Sequence, residues 1–258
     1  MKHLRTLGSA DCLAQQKAFE NWYQTPLGRA LLADQRKVIS HQLDGLYGVH
    51  QLEMMVSHRL PVANTSAINH RICCVPAWEQ DMPDNTLVSA SEELSLASDS
   101  IDLVILHHTL DFAAAPRQSL REAERVLRSG GYMLIVGFNP MSLWGLMKLF
   151  RSNKEPPWSG RFISSRRIED WLELLDFRIE DVKYRLSMLP WQRCAPGRIT
   201  DVDVVKPLSS FLGAYYSLLT QKQKGAMTLL KPDWRTAEVI GMPVAGGINK
   251  TAAMKETE

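Results

Sequence analysis

Little in the composition singles out a chemistry. The four cysteines, Cys12, Cys73, Cys74 and Cys194, form no C-x-x-C pair, which excludes a zinc ribbon or a dithiol redox motif; Cys73 and Cys74, in the run "HRICCV", are expected as reduced, buried strand residues. His41, His50, His58 and His70 lack H-x3-H spacing and no carboxylate motif accompanies them, so no metal is expected. No run reaches the length of a membrane span, and the opening "MKHLRTLGSADCLAQQKAFE" has no apolar signal-peptide core; the expected location is cytoplasmic. Net charge is only +2, with Lys and Arg spread along the chain, so no nucleic-acid partner is expected. Internal repeats are absent as well.

What is present reads as α/β. A chain of 258 residues, 45% hydrophobic, suffices for one such domain with additions. Leu120, Ala123, Val126 and Leu127 recur at helical spacing between charged residues. They predict an amphipathic helix opened by Pro116, ending near Arg128 and stopped by Ser129, Gly130 and Gly131. The apolar run at 132–136 then reads as a strand covered on both faces, as does 101–106 after the polar turn Ser98, Asp99, Ser100. Strand, helix and strand over 101–138 make a right-handed crossover unit.

The stretch 89–140, "SASEELSLASDSIDLVILHHTLDFAAAPRQSLREAERVLRSGGYMLIVGFNP", resembles the second half of a class I S-adenosylmethionine-dependent methyltransferase of the type 11 kind. The acidic-Leu turn, the Asp-hydrophobic strand, the Arg-Val-Leu helix end and the Gly-Gly before the next strand fall in family order. "WYQTPLGRALL" at 22–32, "YGVHQL" at 47–52 and "GFNPMSLWGLMKLF" at 137–150 resemble a little-characterised bacterial subgroup. The resemblance implies an α/β fold: a doubly wound, seven-stranded, mostly parallel, Rossmann-like sheet in a single domain. It would carry an N-terminal helical extension at 1–46, a methyltransferase-like domain at 47–230 with an insertion at 141–163, and a flexible tail at 231–258. Segments 178–186 and 213–223 would form the antiparallel pair that ends such sheets, and Ser164 or Ser165 would cap the helix through Trp171.

In the family the first strand, here 49–55, runs into an acid and a G-x-G-x-G turn. Glycines there let the backbone approach the methionine and ribose of the cofactor, and the next helix offers its amides. Glu53 holds the acid's place, but Met54, Met55, Val56, Ser57 and His58 stand where the glycines belong. After the second strand, Pro76, Ala77 and Trp78 replace the acid that takes the ribose hydroxyls, unless Glu79 reaches back. Ala90 replaces the acid that takes the adenine amino group, with Ser91 and Glu92 as shifted substitutes. The resemblance thus implies S-adenosylmethionine as a weakly held cofactor, around Glu53, Met55, Ser57, Ala77, Ala90, Ser91, Glu92 and His107. Three functions stay open: methyl transfer to a small or apolar acceptor, a pseudo-methyltransferase that binds a ligand or protein, or a membrane-surface module.

Methyl transfer requires mainly in-line alignment and exclusion of water. Acceptor-side groups belong at the carboxyl ends of strands, at His107, His108, Thr109, Asp111 and Asn139. If the strand continues, His107 and His108 face opposite sides; His108 is the expected catalytic histidine with Asp111 as partner. The alternatives are a strand-end histidine and a loop-capping carboxylate, and Asn139-Pro140 reads as a turn. Residues 141–151 form a short apolar segment, readable as a lid, a peripheral membrane contact, a protein contact or a packed helix.

Overall fold

The structure, a computed structural model, describes residues 9–150, 156–185 and 213–223, all within a compact unit spanning 1–225. Cys194 and the expected tail at 231–258 lie outside the described residues. Two helices come first, α1 (Ser9–Tyr23) and α2 (Pro26–Leu43). Thr25 caps α2, accepting from the Gly28 amide at 3.1 Å, and Pro26 supplies the first helical position. Gly28 lets the two helices abut: a Cβ there would lie 2.4 Å from the Trp22 carbonyl oxygen and 2.6 Å from the Tyr23 Cα. Because both obstacles are backbone, Gly28→Ala is expected to cost about 1–3 kcal/mol by overpacking, read by urea unfolding; an unchanged midpoint would show that the helices can separate freely.

Seven strands follow, β1 (His50–Met55), β2 (His70–Val75), β3 (Thr86–Val88), β4 (Ile101–His107), β5 (Leu127–Phe138), β6 (Phe177–Arg185) and β7 (Tyr215–Lys222). They form one sheet in the order β3-β2-β1-β4-β5-β7-β6, parallel except for β7, which runs antiparallel to both neighbours. The expected unit at 101–138 is present, with Val104 opposite Met133 and Leu106 opposite Ile135. Between strands lie α3 (Thr109–Phe112), α4 (Pro116–Val126), α5 (Leu143–Phe150) and α6 (Ser165–Glu173), the last capped by Ser164.

Alternation along the strands divides the core into two layers. Leu103, Ile105, Leu134 and Val136 face α1 and α2 with Phe19, Leu31, Ile39 and Trp144. Leu52, Val104, Leu106, Met133 and Ile135 face α4 and α6 with Ala123, Val126, Ile168 and Leu172. Each fully buried aliphatic side chain contributes roughly 1.5–3 kcal/mol. The contact of α2 with the sheet also includes a polar set. Asp34 accepts from the Tyr215 hydroxyl at 2.8 Å, and Gln42 accepts from Ser217 and donates to Asp181 at 3.1 Å.

Three expectations need correction. The helix expected to reach Arg128 ends at Val126, and β5 is already running at Leu127. Gly130, at φ +81°, lies inside β5 where its register against β4 shifts between Ile101 and Leu103. Gly131 passes so close to Asp102 that a Cβ would meet its carbonyl oxygen at 2.9 Å. The glycines therefore serve an irregular strand pairing rather than a helix stop. Secondly, among the described cysteines only Cys74 is buried, whereas Cys12 and Cys73 are half-buried. Finally, β1 is followed by no helix, since 56–69 is an irregular loop. In the 141–151 segment, Trp144 packs into the core while Met141, Leu143 and Leu146 remain open to solvent.

Candidate functional site

The sheet order reverses between β1 and β4, because the chain continues to one side through β2 and β3 and returns to the other with β4. Open α/β sheets bind ligands at the carboxyl ends of strands beside such a reversal. A cavity of about 630 Å³ opens there, within the usual range for small-molecule sites. Its floor is Met54 and Met55 at the end of β1 with Val56 after them, and Val75 at the end of β2 with Pro76 after it. One wall is 89–93, following β3; another is Thr109 with 112–115 and Gln118, following β4; Cys12 and Gln15 of α1 complete it. Among these lining residues the only charged side chains are Glu92 and Glu93.

Of the residues expected to contact a cofactor, Met55, Ala90, Ser91 and Glu92 line the cavity. Glu92 ties two walls together, accepting from the Ala115 amide at 3.0 Å and from the Ser91 hydroxyl at 3.1 Å. Glu53, Ser57, Ala77 and His107 lie off the lining, as do His108 and Asp111. Cys12, Gln15 and Gln118 were not expected there. Their approach depends on tertiary packing, and no local pattern in the sequence announces it.

Glu53 holds the loop that has replaced the family's helix. Its carboxylate accepts from the Val62 amide at 2.7 Å, while Arg71 donates to the carbonyls of Asn64, Ser66 and Ile68 at 2.8–3.0 Å. Burial pushes the Glu53 carboxyl up to about 7, partly offset by the Val62 and Ala63 amides. Its folded value exceeds its ordinary 4.5, so the native state keeps a proton that the unfolded chain has released. Stability therefore falls as pH rises through this window, by about 1.4 kcal/mol per pH unit. Glu53→Gln removes this contribution, so urea unfolding at pH 5 and pH 7 should show wild type losing roughly 2–3 kcal/mol relative to the variant. Parallel profiles would overturn the assignment.

The opposite-face expectation for the two histidines fails because His108 leaves the strand in a left-handed conformation, φ 55°. Both rings then turn toward Gln35 of α2. His107 Nε2 donates to Gln35 Oε1 at 3.0 Å, and Tyr23 donates to the same oxygen at 3.2 Å. Gln35 Nε2 donates to His108 Nε2 at 2.8 Å, which places the His108 proton on Nδ1, where it is donated to Asp111 at 2.9 Å. Asp111 also accepts from the Phe138 amide at 3.0 Å. His107, His108 and Asp111 are all at most 2% exposed. Burial pushes His108 down to about 3, His107 well below its ordinary range and Asp111 well above its own. The Asp111 carboxyl is thus a buried acceptor with defined partners, and both histidines are neutral at physiological pH. This network fixes α3, whose Thr109 and Phe112 line the cavity.

The substituted glycine positions have partners of their own. The Ser57 hydroxyl donates to Glu20 of α1. Arg59 donates to the other Glu20 oxygen at 3.0 Å and pairs with Glu79 at 2.9 Å. Glu79 is therefore engaged by Arg59 and is not among the cavity's lining residues.

The fold is that of an α/β methyltransferase, with a cavity at its strand-order reversal. A methyltransferase domain family model matches residues 68–135. An uncharacterised protein of Escherichia coli K12, YafS, is 34% identical over 178 residues, covering 67% of this chain and 70% of the relative. A methyltransferase structure from Thermotoga maritima superposes with a TM-score of 0.62 at 18% identity, covering 86% of this chain and 100% of that one. One from Archaeoglobus fulgidus gives 0.50 at 16%, covering 72% and 94%. The chain belongs to the class I S-adenosylmethionine-dependent methyltransferase family.

Proposed function

We propose that this chain binds S-adenosylmethionine in the cavity between β1 and β4 and transfers its methyl group to a small, uncharged or apolar acceptor. The observation that carries this reading is the cavity itself, placed at the strand-order reversal, largely apolar and with acids as its only charged lining. The fit to the cofactor is partial. The apolar walls suit the adenine face, and the acidic sign of the lining suits a positively charged ligand. Pro76 gives the ribose diol no carboxylate, and Met55 fills space that a glycine would leave open. When bound, the cofactor supplies an already activated methyl group. The chain's part is to hold the acceptor in line and exclude water, through Phe112, the alanines at 113–115 and the α1 wall.

His108 and Asp111 act from behind this site, by fixing α3. Since neither opens to the cavity, the reading favours an acceptor that needs no deprotonation by a histidine. A second reading, a ligand-binding module without turnover, is favoured by the glycine positions engaged with α1. The two separate in one experiment, in which purified protein, methyl-labelled S-adenosylmethionine and a small-molecule cell extract are combined. Label in an extractable product supports transfer. Cofactor binding in calorimetry without transferred label supports the module, and absence of both overturns the proposal.

A further inference from the structure

The family's nucleobase acceptor is missing at Ala90, yet two uncommitted carboxamides stand in the same walls. Gln15 and Gln118 both line the cavity, and neither side chain has a hydrogen-bond partner among the described residues. The walls that carry them converge. Cys12 lies close enough to Glu92 to feel its charge, and Gln15, three residues further along α1, shares that helix face. Glu92 is hydrogen-bonded to the Ala115 amide, one helical turn from Gln118. The segment at 89–93, which includes Ala90, thus neighbours both walls at Glu92.

We infer that recognition of the cofactor's nucleobase has moved from the 89–93 loop to α1, with Gln15 as the base-contacting residue and Arg59 as the residue that positions it. This rests on the reading that the cavity binds S-adenosylmethionine. A carboxamide offers a donor and an acceptor side by side, which match N1 and the 6-amino group on the Watson–Crick edge of adenine. It also rotates end for end, so it matches a 6-oxo purine, whose donor and acceptor are exchanged, as readily as a 6-amino one. A carboxylate at Ala90 would accept from the amino group alone. The chain's base recognition is accordingly tolerant at the purine 6-position.

The positioning element is built on the family's glycine positions. Arg59 joins Glu20 of α1 to Glu79 of the loop after β2, and Ser57 binds the second oxygen of Glu20. Arg59 is 46% exposed, so each ion pair adds little stability. Phe19 and Tyr23, both at most 1% exposed, already anchor the far end of α1. The clamp grips this same end at Glu20 and, through the Gln16 amide that donates to Glu20 at 3.4 Å, bears on the turn that carries Gln15. The substituted loop and the absent base acceptor are thus parts of one rearrangement.

The test uses full-length protein with S-adenosylhomocysteine and its 6-oxo (inosine) analogue in calorimetry, and hydrogen exchange along α1. Wild type should bind both compounds within about threefold, and Gln15→Ala should lose roughly tenfold on both, the share of one hydrogen-bonding side chain. Arg59→Gln should lose a similar factor without touching ligand and speed exchange in α1 before Phe19, with Arg59→Lys between the two. Strong preference of wild type for the adenine compound, or unchanged affinity in Gln15→Ala, overturns the base contact. Unchanged exchange and affinity in Arg59→Gln overturn the positioning role. If wild type binds neither compound at millimolar concentration, the cofactor reading and the base contact fall together, while exchange in ligand-free protein still decides the clamp.

Discussion

Replacing Gln35 with leucine lowers the unfolding free energy by about 3–5 kcal/mol, an expected fall in Tm of roughly 10 °C for a chain of this size. The side chain is completely buried and serves three groups, the Tyr23 hydroxyl, His107 Nε2 and His108 Nε2. Leucine nearly matches its volume, so no large cavity forms. Three polar atoms instead lose their partner where water cannot replace it, and each orphan costs about 1–3 kcal/mol before the added apolar burial offsets part of the sum. Adding His107→Phe to Gln35→Leu removes one orphan, so the double variant should lose less than the two single losses combined. A loss below about 1 kcal/mol for Gln35→Leu would show that the network has slack and cannot be what fixes α3.

S-adenosylmethionine is expected to bind with a dissociation constant nearer roughly 100 μM than 1 μM. Two interactions of about 1.4 kcal/mol each, the ribose carboxylate and the close backbone approach at the glycine turn, are missing and together make a hundredfold. The structure identifies the variant that should restore the first. Pro76 is exposed, lines the cavity and follows the last residue of β2, so Pro76→Asp places a carboxylate near the ribose without disturbing the core. Its affinity should rise about tenfold, lowering the constant toward roughly 10 μM in calorimetry. Binding of wild type below micromolar would show that other groups of the cavity make up for Met55 and Pro76. No change in Pro76→Asp would show that the ribose lies away from β2.

Most of the sheet is legible because its strands are buried on both sides. Such strands must be continuously apolar, as in 101–106 and 132–136, and the helix between them is opened by a proline at its first position. Family resemblance supplies the strand order and the antiparallel end, which periodicity alone could not. The connection after β1 is misread because a helix is expected there from the family, although Pro61 in "SHRLPVAN" stands where such a helix would have its interior. Residues of the cavity floor are readable as strand ends. Gln15 and Cys12 are not, since their place in the cavity wall depends on how α1 docks, and the turn of both histidines to one side depends on a positive φ at a residue that usually avoids it.

The attachment of α2 to β7 governs the order in which a growing chain can complete itself. Asp34 and Gln42 leave the ribosome early, yet the hydroxyls they bind belong to Tyr215 and Ser217, 181 and 175 residues later. β7 also fills the place between β5 and β6, so until it is synthesised β5 is an open edge and Asp34 and Gln42 of α2 lack the two hydroxyls that they bind. Native closure is consequently a late event of high contact order, slow relative to local helix formation. A nascent chain released before β7 would carry both a partly unsatisfied helix and an unpaired strand, which makes premature termination in this gene a source of aggregation as well as of inactivity.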